Sequence, residues 1–271
     1  MNKLAEIIAT RKQRISAAKA ATPRDAIEPL ARDARVHASP HALLNALSDG
    51  DDVKIIAEFK RRSPSKGTIK AGADPGTFAR HYENGGAAAM SVLTEPDYFA
   101  GSLDDLRTVR KATKLPILRK DFIVEEYQVY ESAAASADAL LLIVAALGDS
   151  ELRYLRQLTE DELGMDALVE VHTADEMQRA IDCGARIIGV NSRNLATFEV
   201  SLDTSIELAA QGGPGTILIS ESGIQTADDV KRLRSAGYRG FLIGEALMRA
   251  DDPSILIGEL TRPTETASFP A

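Results

Sequence analysis

The chain has 271 residues, a formal net charge of −8, and 44% hydrophobic and 27% charged residues. At this size roughly 73% of the surface of the unfolded chain can be buried, so the core needs neither a disulfide nor a metal ion to hold it. The composition excludes a wholly disordered or fibrous protein. The negative charge argues against non-specific binding to nucleic acid or to an anionic membrane, because phosphate groups would repel the chain, and we expect neither partner.

The sequence has no segment typical of export or of membrane insertion. The longest apolar run, Ala139–Leu147, is much shorter than the ~18 residues that a membrane helix needs. Residues 1–20 mix Lys, Arg and Glu with isolated apolar residues and lack the apolar core of a signal peptide. The single cysteine, Cys183, cannot form an internal disulfide, and its place at a predicted helix end favours a small buried residue over a nucleophile. We therefore predict a cytoplasmic protein.

Residues 1–50 have the apolar spacing of helices and contain no run that resembles a buried strand. Two groups of residues carry this spacing: Leu4, Ile7 and Ile8, and then Leu43, Leu44 and Leu47. So short a segment can bury little core of its own. We interpret 1–50 as a helical extension of a single domain spanning 1–271, and expect it to lie over one end of that domain.

After Gly50 the chain contains eight short apolar runs that are rich in β-forming residues. Most are continuously apolar, which suits parallel strands covered on both faces better than half-exposed strands. The runs are Val53–Phe59, Ala88–Leu93, Leu115–Leu118, Ala139–Val144, Ala167–Val171, Ile187–Val190, Ile217–Ile219 and Phe241–Ile243.

Helix signals with recognisable ends separate these runs. Asp74 before Pro75 is typical of a capped helix start. Two further starts resemble capping boxes, namely Thr173 with Glu176 and Thr226 with Asp229. Glycines that we expect to be left-handed helix ends precede the next strand at Gly85, Gly184 and Gly237. The repeating order of strand, helix and glycine predicts βα units and a parallel sheet.

Eight βα units in about 220 residues predict an α/β fold, the (β/α)8 TIM barrel with an N-terminal helical extension. An open, doubly wound sheet is the alternative. That fold would normally place a G-x-G-x-x-G turn after the first strand, and none follows Phe59.

Most of the predicted strands end in an ionisable or amide residue directly after an apolar run. Alternation along the first strand places Glu58 and Lys60 on one face and Phe59 on the other. Barrel enzymes carry their chemistry at the carboxyl ends of the strands, and burying charge at one rim without a function would be costly. The strand ends therefore predict a site at one mouth of the barrel. Its members include Lys60, Lys120, Glu58, Glu170, Asn191 and Glu221.

The segment Lys54–Lys70 has a local charge of +5 within an acidic chain. A nuclear-localisation-like patch or a phosphorylation site at Ser63 would need a flexible, exposed tail, whereas this segment continues directly from an apolar strand. We interpret it as a loop that receives an anion, with Ser63 or Lys66 as donors and Gly67 for conformational freedom.

Two glycine-containing turns follow the seventh and eighth predicted strands, Glu221–Ile224 and Ile243–Ala246. In barrels the loops after these two strands frequently bind phosphate through backbone N–H groups. Glycine permits close approach of the anion because it has no Cβ. The pair predicts a phosphate site that includes Gly223 and Gly244.

The histidines do not have the spacing of a metal site, and we expect no metal ligands in this chain. His172 follows the fifth predicted strand and borders the expected mouth, and we interpret it as a hydrogen-bonded structural residue. Neither a phosphate-binding P-loop nor the context of a Ser-His-Asp triad is present.

The motifs resemble those of the indole-3-glycerol phosphate synthase family along nearly the whole chain. One departure is Ser192, where the family often has a second Asn. The matching segments are Ile56–Gly67 (IAEFKRRSPSKG), Ser91–Ser102, Leu118–Phe122 (LRKDF), Glu170–His172 (EVH), Gly189–Leu195 and Ser220–Ile224 (SESGI).

The resemblance implies a (β/α)8 barrel with an N-terminal extension and a carboxy-lyase that acts without a cofactor. Its substrate would be 1-(2-carboxyphenylamino)-1-deoxyribulose 5-phosphate, which is closed to indole-3-glycerol phosphate with loss of CO2 and water in tryptophan biosynthesis. A small, multiply anionic substrate with an aryl ring needs a phosphate site, a cation for its carboxylate and an apolar slot.

By resemblance, Lys120 is the general acid at the substrate carbonyl, Lys60 binds the carboxylate and serves in dehydration, and Glu170 is the acid or base of the later step. Clustered Lys and Glu side chains titrate as a coupled set, so the sequence leaves the individual proton assignments open. The other implied catalytic residues position the substrate and the lysines or complete the rim: Glu58, Asn191, Glu221 and Ser222.

The resemblance also implies a set of substrate-binding residues. Those expected at the phosphate are Ser63, Gly223, Gly244 and the backbone N–H of Glu245. Those expected beside the aryl ring are Pro64, Phe99, Phe122 and Leu195, with Arg193 as a further binding residue.

Two alternatives remain at this point. A sugar-phosphate isomerase barrel would need one acid–base pair and no cation for a carboxylate, so the extra lysines and the extension argue against it. A catalytically silent scaffold barrel would not need the full polar set. The oligomeric state and any association with other enzymes of the tryptophan pathway stay open.

Overall fold

The structure is a computed structural model that describes residues 3–193 and 199–262. Eight parallel strands form a closed barrel in which each strand pairs with its neighbours in the chain and the eighth pairs with the first. The (β/α)8 prediction is therefore confirmed, and the open sheet is excluded. In chain order the barrel strands are Lys54–Phe59, Ala89–Leu93, Ile117–Lys120, Ala139–Ile143, Asp166–Val171, Ile187–Asn191, Ile217–Glu221 and Gly240–Ile243.

All eight apolar runs became strands, and the differences lie at their ends. The third strand begins at Ile117 instead of Leu115, directly after Pro116. Three strands continue one or two residues beyond their apolar run. They end at Lys120, Asn191 and Glu221. The apolar runs therefore predicted the barrel strands, but they stop short of the residues that reach the mouth of the barrel.

Helices precede the barrel and follow its strands. A 3₁₀ turn (Val144–Ala146) and a π-helical turn (Leu158–Glu162) flank the eighth helix. The helices are α1 (Lys3–Ala21), α2 (Arg24–Val36), α3 (Ala42–Ser48), α4 (Pro75–Asn84), α5 (Pro96–Phe99), α6 (Leu103–Ala112), α7 (Glu126–Ala134), α8 (Asp149–Gln157), α9 (Ala174–Asp182), α10 (Leu202–Ala209), α11 (Ala227–Ser235), α12 (Glu245–Arg249) and α13 (Pro253–Thr261).

Two of the three predicted helix starts form the expected caps. Asp74 accepts a hydrogen bond from the backbone N–H of Thr77, and Thr226 forms a complete capping box with Asp229. At α9 the box is shifted, because the Glu176 carboxylate accepts from the N–H of His172 instead of from that of the capping Thr173.

The prediction of a left-handed glycine is confirmed at Gly184 and Gly237 and is wrong at Gly85. Gly85 has a φ of −76°, and the positive φ of +82° falls on the next residue, Gly86. A Cβ on Gly85 would lie 2.8 Å from the Cα of Ser254. The glycine is therefore needed for close approach of α13, which no local pattern indicates.

The core has two layers separated by the wall of the barrel. An outer layer packs the outward-facing strand residues against the surrounding helices. An inner layer fills the barrel with alternate residues of the strands, and two leucines of α3, Leu43 and Leu47, close it from below. The inner layer also contains Ile56, Leu118, Leu168, Ile187, Ile219 and Leu242.

The extension contacts both ends of the barrel, so our expectation that it lies over one end is wrong. The beginning of α1 borders the mouth at the carboxyl ends of the strands. Helix α2 packs along the outside against α7. Helix α3 covers the opposite end, where the N–H of Leu44 donates to Asp166 and the guanidinium of Arg239 donates to the carbonyl of Leu47.

A small antiparallel hairpin that the apolar pattern did not predict follows the first strand. It pairs Arg62–Ser63 with Gly67–Thr68. Arg61 anchors its base through two hydrogen bonds to the carboxylate of Asp105, at 2.7 and 2.8 Å. The hairpin holds the basic loop over the mouth of the barrel, and the Oγ of Ser63 accepts a hydrogen bond from the N–H of Lys66.

Candidate active site

The mouth of the barrel is built by the twofold alternation of the strands. Residues two apart point to the same side, so a strand that places an apolar residue in the inner core directs the residue two positions later towards the cavity above it. Four strands do this with a charged residue. The pairs are Ile56 and Glu58, Leu118 and Lys120, Leu168 and Glu170, and Ile219 and Glu221.

Lys120 lies between two buried carboxylates from different strands. Its Nζ is 2.8 Å from Oε2 of Glu170 and 2.5 Å from Oε2 of Glu221. The exposed fractions of the three side chains are 11%, 4% and 2%, respectively. The arrangement is an ammonium group shared by two carboxylates at the floor of an open cavity.

The charges in this cluster shift its pKa values in opposite directions. Burial alone would lower the pKa of Lys120, but Glu170 and Glu221 outweigh it and raise that pKa, so Lys120 is an ammonium ion at neutral pH. Burial raises the pKa of Glu221 to about 7, and Glu170 adds to the increase. Glu170 also loses solvation, but the attraction of Lys120 and His172 lowers its pKa. One carboxylate is therefore held ionised while the other can accept a proton near neutral pH.

A second pair of charges lies beside the first. Lys60 forms an ion pair with Glu58. A Cβ on Gly244 would overlap the carboxylate of Glu58, and one on Gly189 would overlap the carboxylate of Glu221. The sequence analysis predicted that Gly244 admits a phosphate group, and the structure adds that glycine at both positions leaves room for a buried Glu side chain.

One side of the mouth offers backbone groups and small polar side chains. Ser222 and Gly223 both have positive φ, +68° and +81°, a conformation that is uncommon for a serine. The hairpin brings Ser63 to the same cavity, and Nζ of Lys66 lies 3.9 Å from Oε1 of Glu245. This side has features of an anion-binding site, namely two successive residues in the left-handed conformation and a nearby lysine.

Another part of the cavity lining is apolar. The rings of Phe99 and Phe122 lie 6.2 Å apart between centroids and are tilted by 41°. Pro64 from the hairpin lines the same cavity, as do Leu4 and Ile7 from α1. These surfaces form a slot that suits a planar aromatic group.

A buried ionic network connects this slot to the extension. Asp121, which follows Lys120, accepts hydrogen bonds from Arg11 of α1 at 2.7 Å and from the fully buried Arg119 at 2.9 Å. Its other oxygen accepts from the N–H of Phe122 at 2.8 Å. Burial raises the pKa of Asp121, but the two guanidinium groups outweigh it and lower that pKa. Helix α1 is thus fixed beside the carboxyl end of the third strand.

The cavity has a volume of about 1,060 Å³. All predicted site residues within the described part of the chain line this cavity, including Asn191 and Arg193. The residues predicted from the strand ends and those implied by the resemblance therefore lie together. Leu195 lies outside the described residues. The sequence analysis missed the lining residues Lys3, Leu4 and Ile7. Their helical spacing was visible, but no local signal indicates where a terminal helix docks.

Within residues 3–193 and 199–262, no cluster of three or more His, Cys, Asp or Glu side chains is suited to a metal ion. In the same residues, no helix combines the length and the apolar character required to cross a membrane.

The fold and the charged cavity at the carboxyl ends of its strands define a (β/α)8-barrel enzyme. The sequence profile of the family described as indole-3-glycerol phosphate synthase matches residues 4–260. Among curated relatives, the indole-3-glycerol phosphate synthase of Carboxydothermus hydrogenoformans is 45% identical over 254 residues, covering 92% of this chain and 96% of the relative. That of an Arthrobacter species is 48% identical over 237 residues, covering 85% and 86%.

The chain belongs to the indole-3-glycerol phosphate synthase family. Its members are decarboxylating carbon–carbon lyases of tryptophan biosynthesis, and the prediction of this enzyme class is confirmed. The isomerase and scaffold alternatives are not favoured.

Solved structures of other enzymes share the fold at low identity. A thiamine phosphate pyrophosphorylase from Pyrococcus furiosus has a TM-score of 0.59 and 18% identity, covering 78% of this chain and 94% of that one. A 3-hexulose-6-phosphate synthase from Salmonella typhimurium has a TM-score of 0.62 and 13% identity, covering 77% and 96%. These likenesses concern the barrel alone.

Proposed function

We propose that the cavity closes the indole ring of 1-(2-carboxyphenylamino)-1-deoxyribulose 5-phosphate, releasing CO2 and water. The observation that carries this proposal is the ammonium group of Lys120, held by two buried carboxylates in a cavity that is also lined by small polar residues and by apolar residues. The substrate has matching parts, namely a phosphate, an aryl carboxylate and a carbonyl carbon between them.

In the first step the ring carbon that bears the carboxylate attacks the substrate carbonyl, and negative charge develops on the carbonyl oxygen. Lys120 is the proposed donor of a proton to that oxygen, because its raised pKa keeps it protonated at neutral pH. Preorganised charge beside a developing oxyanion usually contributes more to such catalysis than any other single effect. Lys60, paired with Glu58, is the proposed cation for the substrate carboxylate.

In the second step the bond to the carboxylate breaks, and its electron pair moves to the ring-closed iminium as CO2 leaves. Dehydration follows, in which the new hydroxyl takes a proton and leaves as water while a base removes a proton from the neighbouring carbon. Glu170 is the proposed base, since it is held ionised, and Glu221 is a carboxyl that can hold a proton near pH 7. Asn191 and Ser222 would position the substrate from the rim.

The substrate-binding roles follow the two sides of the cavity. Pro64, Phe99 and Phe122 are proposed to flank the aryl ring, since they form its apolar wall. The proposed phosphate contacts are Ser63, Gly223, Gly244 and the N–H of Glu245, with Arg193 as a further binding residue at the same cavity.

We also infer that the reaction takes place in the reducing cytoplasm. What supports this is the single cysteine, Cys183, which lies at the end of α9 with 5% of its surface exposed. A thiol that is buried and has no second cysteine to pair with gains nothing from an oxidising compartment.

A direct assay tests the proposed function. The purified chain is mixed with the carboxyphenylamino ribulose phosphate, and indole fluorescence is followed over time. The chain contains no Trp, so its own emission interferes little. We expect a time-dependent increase that scales with enzyme concentration. No increase with authentic substrate would exclude the proposed reaction.

Replacing Gly223 should weaken phosphate binding. Its φ of +81° is strained for any other residue, and a Cβ would overlap the side chain of Val200, so Gly223→Val must displace the loop. We expect a KM increase of about tenfold or more with a smaller change in kcat, measured by steady-state kinetics. Gly215→Val is the control, since it has the same φ of +81° with no neighbour within 4 Å and lies outside the cavity. An unchanged KM in Gly223→Val would place the phosphate elsewhere.

A further inference from the structure

His172 lies behind the catalytic carboxylates and does not line the cavity. It follows the fifth strand, with 10% of its side chain exposed. Its Nδ1 is 3.3 Å from Oε2 of Glu176, and its Nε2 is 3.4 Å from Oε1 of Glu170. The imidazole therefore stands between two carboxylates, one from α9 and one from the catalytic set.

Glu176 fixes the orientation of this ring. The same oxygen that faces Nδ1 accepts a hydrogen bond of 2.7 Å from the backbone N–H of His172. This is the bond that replaces half of the predicted capping box at α9. With Nδ1 held by Glu176, the Nε2 edge of the ring faces Glu170.

A neutral imidazole fits this position poorly. In the neutral ring one nitrogen is a donor and the other an acceptor, so one lone pair would face a carboxylate. The imidazolium ion has an N–H on each nitrogen: Nδ1 lies in hydrogen-bond range of Glu176, while Nε2 forms no hydrogen bond and faces Glu170 as an ion pair at 3.4 Å. The described groups whose charges act on the ring are Glu170 from the fifth strand, Glu176 from α9 and Glu221 from the seventh strand. Burial lowers the pKa of His172, but these three carboxylates outweigh it and raise that pKa.

The position of His172 makes the two catalytic carboxylates unequal. Glu170 lies against two cations, Lys120 at 2.8 Å and His172 at 3.4 Å. Glu221 lies against Lys120, and its second oxygen is buried without a hydrogen-bond partner. A proton entering this cluster is therefore directed to Glu221 and away from Glu170.

We infer that His172 is a positioning residue that keeps Glu170 ionised and so assigns the base role to Glu170 and the proton-holding role to Glu221. It acts through Glu170, without contact with the substrate. The inference rests on the proposed function for the roles it assigns, but the coupling between His172 and Glu170 is a property of the free protein.

Reciprocity of the coupling provides a test that needs no activity. If the charge of His172 stabilises the Glu170 carboxylate, that carboxylate must raise the pKa of His172 by the same amount. We would label the histidines of the full chain with 13C and titrate them by NMR from pH 5 to 9. There are four histidines, and the resonance missing in His172→Asn identifies the relevant one.

We expect His172 to titrate above its ordinary value of about 6.5 in the wild type, and its pKa to fall by about one unit or more in Glu170→Gln. Glu176→Gln should also lower it and lies outside the cavity. Asp252→Asn is the control, because Asp252 lies 3.7 Å from a different histidine, His81, and its replacement should leave the titration of His172 unchanged. A His172 that titrates normally and ignores Glu170→Gln would overturn the inference.

The pH dependence of kcat tests whether His172 affects the reaction through Glu170. In His172→Asn the pKa of Glu170 rises, so the ratio of wild-type to variant kcat should increase as pH falls from 9 to 5, by up to about tenfold. A structural defect alone would give a ratio that is independent of pH, and that result would overturn the assigned role. If the wild type fails to turn over the substrate, the proposed function fails, while the titrations still decide whether the coupling exists.

Discussion

Lys120→Ala should reduce kcat by about 10²–10³ while the protein stays folded. Removing one charge-stabilising donor typically costs this much, and Lys120 is the ammonium at the centre of the carboxylate cluster. The measurement is steady-state kcat together with far-UV circular dichroism. A larger effect on kcat than on KM is expected, since the donor acts on charge that develops only during ring closure.

The same variant should change how stability depends on pH. In the wild type, Lys120 keeps the pKa of Glu170 low, and this contribution is present above the unfolded value and lost as pH falls through the folded value. The pKa of Glu221 is already raised in the wild type, and removing Lys120 takes away the main cation beside both carboxylates, so the folded pKa of each should rise further. Folding then takes up more protons than in the wild type, so the stability of Lys120→Ala relative to the wild type should increase as pH falls from 8 to 5, measured by urea unfolding.

Lys111→Ala is the matched control for Lys120→Ala, because Lys111 is an exposed lysine on the outer helix α6. We expect its kcat and its pH dependence of unfolding to equal those of the wild type. A near-normal kcat in Lys120→Ala would assign the acid to another residue, with Lys60 the next to test.

Gly189→Ala should lower kcat by about 10-fold to 100-fold although it adds only one methyl group. The new Cβ would overlap the Glu221 carboxylate and lie 3.3 Å from Leu168, so Glu221 must move and its bond to Lys120 must lengthen. Misplacing a catalytic group by about 1 Å can cost about 10² in rate. The expected readout is a reduced kcat that Glu221→Gln does not reduce much further when the two changes are combined.

Gly258→Ala is the control for that substitution. Gly258 lies within α13, and a Cβ there would have no neighbour within 4 Å. It should raise the free energy of unfolding by about 0.5–1 kcal/mol and leave kcat unchanged. If Gly189→Ala also left kcat unchanged, the position of Glu221 would not matter for turnover.

The barrel could be predicted because its signals are local. Each strand is an apolar run, and helix ends such as Asp74 and Thr226 carry caps that neighbouring residues form alone. The site was predictable for a similar reason. Parallel strands bring their carboxyl ends to one rim, so a polar residue after each run marks the mouth before any contact is known.

The places where prediction failed depend on contacts between distant segments. Gly85 looks like a helix end, but it is needed because α13 packs against its Cα. Gly244 was predicted from its turn to admit phosphate, and the structure shows that it also leaves room for the carboxylate of Glu58, which no local pattern indicates. At both positions the glycine was noticed but its close contact was not predicted, because the neighbour that needs the space lies far away in the chain.

The sequence by itself therefore determined eight strands, their parallel order and the set of charged residues at one rim, since strand period and caps act over a few residues. Only the tertiary structure decided which charges pair. It placed Lys120 between Glu170 and Glu221, set His172 behind Glu170, and carried the extension from the mouth to the opposite end of the barrel. The physical reason is that Coulomb and packing energies depend on distance in space, and barrel closure sets those distances.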